Sequence, residues 1–176
     1  MPNKKNKIDK DTLIKIVEEI IIKEGVENLS IRKIADRADV SIGGVQYVFG
    51  NKEGILKAVV DKFDKQYNDV IDVLMKDDKS SESRAKAHIK FIFEYTDLDS
   101  CMAITSLFKN TAKEEEFQEW YRFAINSIDD STFEGRKLRL ALLLTEGFFT
   151  LIGFRYLKVS REEIDKIYSD IKKLLL

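Results

Sequence analysis

The sequence predicts an all-α chain of about nine helices, and three observations carry that reading. Apolar residues recur at helical spacing along most of the chain, and no stretch alternates with the period of two of a half-buried strand. One proline and eight glycines leave long segments without a backbone break. Thr111–Glu114, Ser131–Glu134 and Ser160–Glu163 each have the Ser/Thr-x-x-Glu form of a capping box, in which side chain and backbone satisfy each other at a helix start. The expected layout is an N-terminal headpiece of three helices, residues 1–52, joined by a long helix to a C-terminal helical bundle, residues 53–176.

The first helix is expected from about Asp9 to Lys23, with Ile16, Val17, Ile20 and Ile21 inward and Gly25 as its stop. Residues 30–49, SIRKIADRADVSIGGVQYVF, then read as a helix-turn-helix. Ile34, Ala35 and Ala38 share one face of its first helix, Val45 and Val48 one face of its second, and Val40 sits in the break. Ser30 and Ser41 stand where a hydroxyl accepts an orphan N–H of the helix that follows. Asp39 takes the corner, because a short polar side chain tolerates left-handed backbone. Gly50-Asn51 breaks the chain again. Asn51 can cap a long fourth helix whose stripe runs through Ile55, Leu56, Val59, Val60, Phe63, Tyr67, Val70, Ile71 and Leu74, a rigid link to the bundle.

The polar run Lys76 to Ser83 is read as a loop. Helices are expected over roughly Ser83–Asp97 and Ser100–Lys109, then after each capping box for about 17, 25 and 15 residues, the last two covering 132–157 and 160–175.

With 44% hydrophobic and 35% charged residues, the chain can bury a core and is too apolar for disorder. Its single cysteine, Cys101, excludes an internal disulfide and fits a reducing cytoplasm. The lysine-rich start runs straight into helical alternation, without the pattern of a signal peptide. Leu138–Leu157 is the one segment resembling a membrane span, but Arg139, Glu146 and Arg155 interrupt it. A charge near mid-bilayer costs roughly 2.5–3.5 kcal/mol, so the segment reads as a core or interface helix and no membrane partner is expected. One histidine, no metal-ligand spacing and no glycine-rich phosphate loop leave nothing for an enzyme to work with. No catalytic residue, cofactor or metal is expected, and Glu114-Glu115-Glu116 reads as a solvated helix start.

Net charge is −1, but residues 1–57 hold 11 Lys+Arg against 9 Asp+Glu (+2) while the rest holds 19 against 22 (−3). Lys4, Lys5, Lys7 and Lys10 add to this mild basic surplus at the end that carries the helix-turn-helix. That motif points to double-stranded DNA. Ile42 to Val48 would be the recognition helix; Gln46 can pair bidentately with adenine N6/N7, and Tyr47 can touch a base edge, a thymine methyl or a phosphate. Gly43 and Gly44 each cost a helix roughly 1 kcal/mol relative to alanine. Close approach of backbone to the groove explains them, as does tight packing for Gly43. Lys52, at the start of the fourth helix, can hold a phosphate together with the helix N-terminal amides. Ser30, Ser41 and Lys33 are further phosphate candidates, with capping or solvation the alternative.

Residues 10–60, closing on Phe49-Gly50-Asn51-Lys52-Glu53-Gly54-Ile55-Leu56, resemble the N-terminal domain of the TetR family of bacterial transcriptional regulators. Val40, Ser41, Gly43, Phe49, Lys52, Glu53, Ile55 and Leu56 carry the likeness; beyond residue 60 the chain is similar only in helical layout and in the apolar helix around Glu146-Gly147. Two departures stand out. Gln46 replaces a frequent tyrosine, and Val48 replaces the histidine of a Gln-Tyr-His-Phe variant.

The resemblance implies a homodimeric repressor on a palindromic operator, with recognition helices about 34–36 Å apart, and places Arg32 where some members reach a base. It makes the last two helices the dimer interface, with Leu142, Phe149, Ile152, Tyr156, Ile164 and Ile171 as the expected contacts. It also implies an apolar or amphipathic small-molecule inducer, for which His88, Phe91, Tyr95, Phe108, Trp120, Tyr121 and Glu146 are the expected pocket, unless the aromatic stripe is plain core. The alternative is a regulator of the same fold that is constitutive or controlled by a protein partner.

Overall fold

The computed structural model describes residues 9–110 and 114–175, without the side chains of Ser106, Phe108, Lys109, Asn110, Glu114, Glu116 and Phe117. Among the described residues there are nine α-helices and no strand: α1 (Lys10–Glu24), α2 (Ile31–Ala38), α3 (Ile42–Phe49), α4 (Lys52–Met75), α5 (Ser81–Tyr95), α6 (Leu98–Asn110), α7 (Glu114–Asn126), α8 (Phe133–Gly153) and α9 (Arg161–Leu174). The chain divides into two compact units, and the division falls inside α4, between Asp64 and Lys65. The expectations that rest on Lys4, Lys5, Lys7, the Thr111 capping box and the Phe108 side chain lie outside the described residues.

In the first unit Asp9 caps α1 through Thr12 N, and Gly25 ends it with φ +87°. Leu13, Ile14, Val17, Ile20 and Ile21 face inward, with Ile16 only half-buried. Ile34, Val45 and Ile55 from α2, α3 and α4 are also fully buried. Each such side chain contributes about 1.5–3 kcal/mol, enough to hold helices too short to persist alone.

In the second unit α8 is the central helix and packs against α5, α6 and α9. Its core joins Ile89 and Phe93 of α5 to Leu138 and Leu142 of α8 and to Ile164 and Ile171 of α9. The start of α8 differs from expectation. Thr132, not Ser131, is its cap, its hydroxyl accepting from Gly135 N at 3.0 Å. Ser131 is instead held by Asp129 Oδ1, which accepts its N–H at 2.9 Å, so Glu134 falls one position short of completing a capping box. The helix also stops at Gly153, because Arg155 turns left-handed at φ 60°, and spans 21 residues where about 25 are expected. Ser160 and Glu163 do form a capping box on α9.

Candidate functional site

The helix-turn-helix is built from caps and one strained corner. Ser30 Oγ accepts from Lys33 N at 3.2 Å, and Ser41 Oγ accepts from Gly44 N at 3.1 Å. Asp39 takes φ 52°, ψ 47° between them, and Val40 N–H returns to Ala35 O at 3.1 Å. With Val45 and Phe49 turned into the core, α3 presents its other face to solvent. Tyr47 is 92% exposed and Ile42 48%, with Gln46 exposed beside them. A Cβ added at Gly43 would meet nothing within 4 Å, so packing against a neighbouring element does not explain that glycine.

The basic residues divide into two groups. Arg32 is extended into solvent, its guanidinium 4.0 Å from Asp36 and 82% exposed. Lys52 is exposed on the first turn of α4, where Asn51 Oδ1 caps Gly54 N at 2.9 Å. Lys33 is otherwise engaged: its ammonium donates to Glu24 Oε2 at 2.6 Å, and Arg37 pairs with the other oxygen. Glu24 thereby ties α1 to α2 across the back of the motif. The hydrogen bond from Lys33, and then the charges of Lys33 and Arg37, hold its carboxyl below the usual range. Lys33 is thus partly committed to Glu24 before any phosphate arrives.

The second unit holds a chain of polar groups in an aromatic setting. His88 lies on the buried face of α5, with Nδ1 2.8 Å from Tyr67 Oη and Nε2 2.5 Å from Glu146 Oε1. Tyr121 Oη donates to the other carboxylate oxygen at 2.6 Å. With Glu146 as a carboxylate, the tautomer that satisfies both contacts has the proton on Nε2 and Tyr67 donating to Nδ1. Burial first, and then the negative charge of Glu146, pushes the Tyr121 phenol far above its usual value. Burial does the same to Tyr67, so both hydroxyls remain donors. Trp120 lies against the imidazole at 5.1 Å, and Phe91 meets Tyr67 edge-on at 5.1 Å.

Beside this network opens a cleft whose walls include Tyr67, Trp120 and Phe123 and whose polar groups are Ser81, Arg84, His88 and Ser127. The cavity is small, about 30 Å³, and its mouth is open to solvent. Cys101 lies elsewhere, under α8, its thiol donating to Phe149 O at 3.3 Å. Burial pushes that thiol up to about 12, which keeps it protonated at neutral pH, and the thiolate is the nucleophilic form.

The family model for bacterial regulatory proteins of the tetR family matches residues 14–59, the segment from α1 into α4 that contains this helix-turn-helix. The headpiece belongs to the TetR family. Solved structures extend the likeness to the whole fold. The fatty acid degradation regulator FadR from Bacillus halodurans is 15% identical, with 93% of this chain and 97% of that chain covered at a TM-score of 0.65. The multidrug binding protein EbrR in complex with malachite green is 13% identical, with 99% of each covered at 0.64. A TetR/AcrR-family regulator from Thermobifida fusca YX-ER1 is 20% identical, with 94% of each covered at 0.60. Comparison with curated protein sequences gives no match. Over the whole chain the likeness is one of fold. Among the described residues no helix is long and apolar enough to cross a membrane.

On this TetR-type fold the residues expected to form a pocket are partly gathered. His88 and Trp120 line the cleft, and Tyr121 and Glu146 stand behind it in the network. Phe91 is buried against Tyr67, and Tyr95 is 53% exposed, stacked on Phe91 away from the cleft. Arg139, one of the charges that interrupt the apolar stretch of α8, pairs with Asp130. Tyr67 and Arg84 were not foreseen, because Tyr67 reads as one more member of the α4 stripe and Arg84 as a solvated residue.

Of the residues expected at a dimer interface, Leu142, Phe149, Ile152, Ile164 and Ile171 are buried within the chain itself, and Tyr156 is 80% exposed. These five fill the intrachain core under α8 and leave no side chain for a partner. The apolar surface of α8 is its opposite face, where Leu140, Leu143, Leu144 and Leu151 are 56, 50, 56 and 44% exposed. Gly147 lies between them, with open space at its Cβ position.

Proposed function

We propose that this protein is a homodimeric repressor that reads a palindromic operator and releases it when a small molecule enters the cleft of the second unit. The observation that carries the DNA-binding part is the solvent face of α3, on which Gln46 and Tyr47 stand free on a helix that is capped, packed from behind and open at Gly43. Arg32 and Lys52 supply cations at its flanks for a base edge and a phosphate, and the Ser30 and Ser41 hydroxyls can still donate while they cap.

Dimerisation is supported by the leucine face of α8. Half-exposed leucines spaced along one side of a helix form the kind of patch that a monomer rarely leaves in water. The open Gly147 lets a second α8 approach closely. Control by a ligand is supported by the polar network and the cleft beside it, and a similar structure, EbrR, holds malachite green. Helix α4 begins at Lys52 and carries Tyr67 into that network, so a displaced Tyr67 has a continuous helix through which to bias the headpiece. The small enclosed volume favours a second reading, in which the same DNA-binding dimer is constitutive or answers to a protein partner.

The test is fluorescence anisotropy of an operator-length duplex across a salt series. Gln46→Ala is expected to cost about 1–3 kcal/mol and to relax base preference at its position. Lys52→Ala should weaken binding to all duplexes and reduce the salt slope by about 1 per protomer. Affinity and preference both unchanged in Gln46→Ala would remove it from base reading. A thermal-shift screen separates the two modes of control, since only the ligand-responsive form is stabilised by a small molecule.

A further inference from the structure

We infer that the cleft between Tyr67, Arg84 and Trp120 is a site for a small organic anion, a carboxylate carried on a flat apolar body. The inference rests on the reading that this cleft is where a ligand acts, and it adds the chemical class. Three features of the wall lead to it.

The first is charge. Arg84 lines the cleft, and no described residue pairs with its guanidinium, whereas Lys33, Arg37, Lys62, Arg139 and Arg161 each have a carboxylate partner. Among the described residues no acidic side chain lines the cleft: Glu146, the carboxylate of the network, sits behind His88, its oxygens against His88 Nε2 and Tyr121 Oη. Among the described residues the charged group that a ligand meets is thus a guanidinium, whose bidentate fork suits an anion.

The second is the backbone. Ser81 and Arg84 belong to the first turn of α5, a helix of 15 residues whose cap, Ser80, satisfies only the N–H of Ser83. The Arg84 N–H is bonded to Ser80 O at 3.0 Å, so among the described residues the amides of this turn without a partner are those of Ser81 and Glu82, at the end of the helix where the dipole favours negative charge. The Ser81 and Ser127 hydroxyls add neutral donors at the rim.

The third is shape. Tyr67, Trp120 and Phe123 supply ring faces or edges, and Ala85, Ala124 and Leu142 complete an apolar lining. The cavity itself is small, about 30 Å³, and its mouth is open, so it suits a single ring seated partly in the mouth and not a large polycyclic ligand. Filling its narrow inner end would press on Tyr67 and on the His88 ring, the two groups through which the cleft meets the polar network.

The chain has a single tryptophan, and it lines this cleft, so intrinsic fluorescence reports on the site directly. The full-length protein is titrated with benzoate, benzyl alcohol and benzylamine, as wild type and as Arg84→Gln and Arg84→Lys. Benzoate is expected to change Trp120 emission saturably and to bind at least tenfold more tightly than either uncharged or cationic analogue. Arg84→Gln should erase that preference, weakening benzoate at least tenfold while leaving benzyl alcohol within twofold, and Arg84→Lys should restore part of it. Comparable binding of all three probes, preference for benzylamine, benzoate binding indifferent to Arg84→Gln, or no saturable response to benzoate would overturn the inference. The same probes are added to the preformed DNA complex. Benzoate that binds through Arg84 and leaves the complex intact upholds the anion site and removes ligand-triggered release. Release by benzylamine or benzyl alcohol, with no binding of benzoate, does the reverse.

Discussion

Replacing Glu146 with leucine isolates the energetic role of the polar network. Glu146 accepts from His88 Nε2 at 2.5 Å and from Tyr121 Oη at 2.6 Å, and its side chain is only 13% exposed. Hydrogen bonds to a charged group contribute about 1.5–3 kcal/mol each, and a buried donor left without an acceptor costs about 1–3 kcal/mol. Leucine recovers about 1–2 kcal/mol by burying apolar surface. The net expectation for Glu146→Leu is a loss of about 3 kcal/mol, near the lower end for breaking a buried charged pair. For a unit of this size about 4 °C of melting temperature accompanies each kcal/mol, so the midpoint should fall by about 12 °C. Glu146→Gln should cost less, about 1–2 kcal/mol, because one acceptor remains. The assay is thermal and denaturant unfolding followed by near-ultraviolet circular dichroism, with Tyr121→Phe and the double variant completing a cycle. A coupling above about 0.5 kcal/mol between Tyr121 and Glu146 is predicted. Glu146→Leu melting within 1 kcal/mol of wild type, with no coupling, would refute the account of the network.

Three further outcomes are expected. Leu144→Glu places a charge on the exposed face of α8; sedimentation velocity should show a helical monomer, with dimer dissociation raised roughly a hundredfold or more, whereas an unchanged dimer would relocate the interface. Glu24→Gln frees Lys33 and Arg37, so DNA affinity should rise with a steeper salt dependence. Because the folded pKa of Glu24 lies below its ordinary 4.5, the stability it adds is fully present above that value and lost as pH falls through the lowered one. The melting difference between wild type and Glu24→Gln should accordingly be constant near neutral pH and close under acid conditions. Gly54→Ala would bring a Cβ to 2.0 Å from the Phe49 carbonyl oxygen, and should cost the headpiece roughly 2–4 kcal/mol and its DNA binding. Near-ultraviolet signals of Trp120 should be unchanged in that variant.

The fold was legible because its signals are local. Capping hydroxyls at Ser30 and Ser41, the corner at Asp39 and the α4 stripe each follow from a few neighbouring residues, and each is formed as expected. What stayed hidden depends on contacts between distant segments. The α8 sequence is apolar on nearly every side, so nothing in it distinguishes Leu142, spent on the core, from Leu144, left in solvent; the packing of α5, α6 and α9 decides that. His88 and Glu146 could be named as polar residues on apolar helices, but their meeting across 58 positions could not be read from spacing. Lys33 looked like a phosphate ligand because its partner, Glu24, comes from the preceding helix. Ser131 failed as a cap because Asp129 captured its N–H first.

The central claim is that two copies of α3 read one DNA site. Selection of bound duplexes from a random pool by the full-length protein tests it most directly. The account predicts an inverted repeat whose half-sites lie about one helical turn apart or somewhat more, with enrichment that weakens in Gln46→Ala and collapses in Leu144→Glu. A pool that shows no enrichment, or a single half-site bound equally well by wild type and Leu144→Glu, would contradict it.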